Sequence, residues 1–183
     1  MKKFFVAIVC FVIFVNFSVC NAGNIRLADE GVETFYSSVS NVLSQMNTET
    51  SLSNLLRTAH IDMPEHNMRA WTCWYYLEGY SEPIGEIIFN VDNQGYVSTA
   101  KIVAYYDQTD ILTVAGDIIG SIFFSAGASF EEIKTMFENV TESDNIRICG
   151  FWSHLRNKQF VLMELPRFTS SEGTQFVLMG GNK

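Results

Sequence analysis

A stripe of Ile111, Val114, Ala115, Ile118, Ile119 and Ile122 constrains the fold of this chain more than any other feature. These residues recur at i, i+3, i+4, i+7, i+8 and i+11, the period of about 3.6 that marks a helix with one apolar face. The spacing predicts a helix from Asp110 to about Ala126. Thr109 is placed to cap it, and Asp107 and Asp110 stand where the positive end of the helix dipole favours carboxylates. Gly116 and Gly120 fall on another face and would let a neighbouring backbone approach. Only Asp117 is charged between residues 111 and 130. Thr113, Ser121, Ser125 and the glycines nevertheless dilute the segment, which reads as a core helix and not as a membrane span.

Strand-like segments lie on both sides of this helix. Before it, Arg69–Glu78 is dense in aromatic residues, which suit a pleated surface. Ile84–Val91 alternates, with Ile87, Phe89 and Val91 on one face. Asp92-Asn93-Gln94-Gly95 then supplies residues that tolerate a left-handed backbone, the signature of a tight hairpin, and Tyr96–Tyr106 follows as its second arm. These segments predict a three-strand antiparallel meander. After the helix, Ser129 with Glu131 and Glu132 forms a capping-box pattern ahead of Phe130, Ile133, Met136, Phe137 and Val140. Asn145–His154 and Gln159–Leu165 read as a second hairpin, and Thr174–Met179 as a short final strand. At the front, Val32, Phe35, Tyr36, Val39, Leu43 and Met46 predict a helix over about Gly31–Met46. Leu52, Leu55, Leu56 and Ala59 suggest a second short one, followed by a loop over residues 60–66. The expected order is α(α)-βββ-α(α)-ββ(β), an α+β domain with an antiparallel sheet covered by helices.

Composition bears mainly on address and partners. Lys2 and Lys3 precede an apolar run from Phe4 to Val15, and Asn21-Ala22 forms a small-residue exit. That pattern predicts a signal peptide cut after Ala22 and export to the periplasm or beyond, in a compact style common among bacteria. A lipid anchor on Cys20 competes, but Val19 is bulky for that processing. Removing residues 1–22 leaves 161 residues, sized for one domain, with 10 basic and 20 acidic side chains. Such a charge repels phosphate backbones, so no nucleic-acid partner is expected. Acidity is uneven: residues 145–183 hold five bases against two acids.

Three groups of residues carry candidate chemistry. Cys73 and Cys149 survive maturation and either pair as a disulfide in an oxidising compartment or pack as buried thiols. His60, Asp62, Glu65 and His66 lie within seven residues, yet Pro64 denies them helical ligand spacing, so no metal and no cofactor are expected. His154 could serve as a general base, but Ser153 beside it would point to the opposite sheet face, and no GxSxG elbow accompanies it. The strongest feature is aromatic. Trp71, Cys73, Tyr75 and Leu77 share one face of a strand and Trp74 and Tyr76 the other, so large rings remain outside whichever face meets the helices. Trp71, Trp74, Tyr76, Tyr80 and Trp152 are the predicted contact residues of a binding domain whose partner is another protein or a second copy. The alternative is a hydrolase or metal-dependent enzyme built on the residue 60–66 loop or on His154.

Overall fold

The computed structural model describes residues 26–53, 57–63, 68–143, 146–165 and 173–182, with backbone alone at 58–63, 68, 143 and 182. These residues form three helices and nine strands. In chain order they are α1 (Val32–Met46), β1 (Thr50–Leu52), β2 (Arg57–Met63), β3 (Met68–Leu77), β4 (Gly85–Val91) and β5 (Val97–Ala104). Next come α2 (Thr109–Ser125), α3 (Phe130–Glu138), β6 (Thr141–Ser143), β7 (Ile146–Ser153), β8 (Lys158–Leu165) and β9 (Thr174–Asn182). The predicted α+β class and the β3–β4–β5 meander are present, with every pairing antiparallel.

All nine strands belong to one sheet, ordered β1-β3-β4-β5-β9-β8-β7-β6, with β2 also paired to β3. The element order departs from the expected one at both ends. Leu52 and Ala59, read as parts of a second short helix, lie in β1 and β2, and the residues from His60 to Met63, read as loop, continue β2. Leu55, Leu56, Pro64, Glu65 and His66 lie outside the described residues. The physical reason is the length of β3. Its ten residues would present a long row of unpaired amides at a sheet edge, and two short strands satisfy them. β1 pairs with Tyr75–Leu77, and β2 pairs with residues 68–72. At the other end, β9 is longer than the predicted Thr174–Met179 and central, bonded to β5 on one side and β8 on the other.

The helices pack on one face of the sheet. Phe35 of α1 meets Phe89 of β4 edge-on, with ring centres 5.9 Å apart. In α2 the predicted stripe is buried, and Phe123 extends it to Phe151 and Phe160 on β7 and β8. Cys73, Tyr75, Ile87, Ile102, Leu162 and Leu178 complete the floor of this core.

Local signals set the helix ends. The cap of α2 is Gln108 and not Thr109, and Gln108 makes no side-chain cap bond. Asp110 instead accepts from the Ile111 amide at 2.9 Å, so a carboxylate does sit in the positive first turn. At the far end Gly127 adopts φ 96°, with its amide bonded to the Phe124 carbonyl and the Ala128 amide to that of Phe123. That pair of bonds is a Schellman stop, which requires a residue at ease in the left-handed region. Ser129 and Glu132 then make the predicted capping box at the start of α3.

Candidate functional site

Strand alternation divides the sheet into a face under the helices and a face over which no described helix lies. The uncovered face is fixed by register. Trp74 opposes Glu86, Glu86 opposes Val103, and Val103 opposes Gln175. One row below, Ile88, Lys101, Val177, Met163 and Ile148 run across five strands. Val177, Met163, Met179 and Ile148 are half-buried, as side chains are when shielded only by neighbours on their own sheet. Arg57, Glu86 and Lys101 bring charge to this face, so it is nearly neutral on a chain whose formal charge is −8.

Of the predicted contact residues, Trp74 and Tyr76 lie together on this face at its β3 end. The Arg57 guanidinium stacks 4.7 Å from the Trp74 ring centre, an attraction that holds a cation over an aromatic face. Tyr105, just beyond β5, joins them. Burial and the nearby Glu86 carboxylate push its hydroxyl above the usual tyrosine range, partly offset by a hydrogen bond with Trp74. The sequence reading missed Arg57 and Glu86. Arg57 takes its face from its cross-strand partner Thr72, a register set by long-range pairing that the sequence does not display.

The other three residues sit elsewhere. Trp71 opposes Phe89 and packs against the core under the helices. Tyr80 turns toward α2, donating its hydroxyl to Asp110 at 3.0 Å. Trp152 shares the uncovered face but stands on β7, five strand positions from β3, or about 24 Å at a spacing near 4.8 Å. The five aromatics are therefore not one patch. Alternation assigned the faces of one strand; the strand order that separates Trp152 from Trp74 arises from long-range pairing.

Cys73 and Cys149 are both free and buried. They also stand five strand positions apart, far beyond the reach of an S–S bond, so the candidate disulfide is corrected to two packed thiols. Burial pushes the Cys73 thiol up to about 12 and raises that of Cys149. Both thiols are therefore poor nucleophiles at neutral pH.

The hydroxyl weighed as a partner for His154 is not open to solvent. His154 is exposed in the turn after β7, while Ser153, the last residue of that strand, is fully buried. His154 lies instead near Glu132. Burial opposes ionisation of the Glu132 carboxyl, but hydrogen bonds from the Ser129 amide and hydroxyl, with His154 nearby, hold it below the usual range. The candidate ligands Glu65 and His66, and the side chains of His60 and Asp62, lie outside the described residues. Among the described residues no group of three acidic, histidine or cysteine side chains converges as a metal site, and no helix is long and apolar enough to cross a membrane. No protein-family model matches this sequence, and no curated protein matches it.

Proposed function

We propose that this chain is an exported binding domain, and that its working surface is the uncovered face of the sheet. The single observation behind this reading is the row of Ile88, Val177, Met163 and Ile148 crossing that face with no described helix over it. An apolar surface of that breadth costs free energy in water, about 25 cal/mol for each Å² left exposed, and contact with another apolar surface recovers it. The helices already occupy the opposite face, so the domain presents one open sheet face. Export would follow from the basic and apolar segment at residues 2–22.

The favoured occupant is another protein that presents a flat apolar surface. A second copy laid face to face would be the homotypic form of the same contact, giving two packed sheets about 10 Å apart. Near-neutrality of the face supports either arrangement, because an acidic chain repels acidic surfaces everywhere else. The test is capture of partners from the native exported fraction, run beside sedimentation of the mature chain. Val177→Lys and Met163→Lys place charges in the middle of the face without touching the core. Both should abolish capture and any dimer while the circular dichroism spectrum stays unchanged. Equal capture by the parent chain and both variants would refute this function.

A further inference from the structure

On the helix-covered side, α2 and α3 do not close fully over the outer strands. A cleft of about 290 Å³ remains between them, floored by β7, β8 and β9. Leu112 and Ile119 line it from α2, Phe137 from α3, and Leu162 and Phe176 from the floor. Gly116 keeps it open. A Cβ placed on this helical glycine would meet no atom within 4 Å, so any larger side chain would enter space that is now vacant. An apolar cavity of about 150 Å³ holds a benzene ring. This cleft is about twice that size and suits a body of two rings.

The rim is polar and its charge has a sign. Arg147 and Glu164 form an ion pair across it at 2.9 Å, with the Arg147 side chain 53% exposed. Glu142 stands opposite Arg147 in the β6–β7 register. At the other side the Thr174 hydroxyl donates to the Asp107 carboxylate at 3.2 Å. Among the described residues, three carboxylates (Glu164 and Glu142 on one side, Asp107 on the other) and one guanidinium thus stand about this mouth, on a chain that is already acidic. The field at this mouth concentrates cations and repels anions. The Phe137 and Phe176 rings add faces that attract positive charge.

We propose that this cleft is a binding site for a small organic cation, a protonated amine carried on an apolar body of about two rings. The body fills the space beside Gly116 and the ammonium group hydrogen-bonds to Glu164. A carboxylate of the same shape could reach only the guanidinium N–H groups that Glu164 leaves free, and would do so against repulsion from Glu164, Glu142 and Asp107. The site lies on the opposite side of the sheet from the platform proposed above and does not depend on it.

The experiment titrates the mature chain, labelled at Ile, Leu and Val methyl groups, with 2-naphthylmethylamine, 2-naphthylmethanol and 2-naphthylacetate. The amine should shift the methyl signals of Leu112, Ile119 and Leu162 and leave Val177, on the far face, unmoved. Binding should follow the order amine, alcohol, acid. Glu164→Gln changes only the rim and should weaken the amine about tenfold, the scale of one charge-assisted hydrogen bond. Gly116→Leu should remove binding while the helix gains from losing a glycine. Cleft methyls that do not respond to the amine would overturn the proposal. So would acid binding as tight as the amine, or undiminished binding by Gly116→Leu.

Discussion

The ring of Tyr75 covers Gly85, its cross-strand partner, and its hydroxyl donates to the Val103 carbonyl one strand further on at 3.1 Å. One side chain therefore spans three strands, which is feasible only where the middle strand carries no Cβ. A Cβ on Gly85 would approach the Tyr75 ring to 2.2 Å and the Val103 oxygen to 2.3 Å. Gly85→Ala should destabilise the fold by about 3 kcal/mol, the upper range for overpacking, because backbone and not only a flexible side chain must move. Tyr75→Phe keeps the ring and loses one hydrogen bond, costing about 1 kcal/mol. Urea unfolding of both variants checks the ordering; equal losses would contradict it.

Lys158 is buried, with its ammonium 3.4 Å from both the Leu27 carbonyl and the Asp29 carboxylate. Burial lowers its pKa, and the Asp29 charge only partly restores it. The unfolded chain then binds more protons than the folded one as pH climbs from the folded value to about 10.5, and stability rises through that window. Lys158→Met should be as stable as the parent or about 1 kcal/mol more stable at pH 7, since the Asp29 carboxylate left behind is 72% exposed and stays solvated. The stability difference between variant and parent should shrink as pH approaches 10.5. Thermal unfolding across pH 7 to 10.5 measures it, and a difference independent of pH would contradict the assignment.

The capping box of α3 has the same sign, with stability rising with pH, but in an acidic window. Glu132 has its folded pKa lowered, so its contribution is complete above about pH 4.5 and is lost as pH falls through the folded value. Glu132→Gln should remove that acid-side loss, and Ser129→Ala should cost about 1 kcal/mol at neutral pH. Acid unfolding midpoints of the two variants and the parent test the pair.

Two free thiols also make a firm prediction. A reducing agent should leave the melting temperature unchanged, and the intact mass of the purified chain should show Cys73 and Cys149 unmodified. In native buffer Cys73 should react with alkylating reagents only as fast as the chain unfolds, because burial keeps its thiol protonated. A drop in melting temperature on reduction would show that some disulfide forms after all.

Periodic segments were legible in the sequence. The stripe from Ile111 to Ile122, the turn at Asp92–Gly95 and the Ser129–Glu132 box each depend on neighbours a few residues away, and each is found where its pattern put it. Leu52, Ala59 and residues 60–63 were misread because the leucine spacing mimics a helix, while the edge of β3 that β1 and β2 pair with is set by the tertiary fold. The same limit governed the site. Alternation separated Trp74 and Tyr76 from Trp71 correctly, yet it could not say that Trp152 would stand five strands away. The cleft beside Gly116 was invisible for a related reason: it exists only where two helices and three distant strands fail to meet.

The place of β9 between β5 and β8 has a consequence for how this molecule comes into being. A growing chain can close the β3–β4–β5 meander early, but β7 and β8 have nothing to join until residues 174–182 have emerged. Synthesis must therefore pass residue 182 before the two halves can zip together, and until then the β5 edge of one half and the β8 edge of the other lie open. The vulnerable interval falls between the emergence of β5 and the arrival of the strand that seals it.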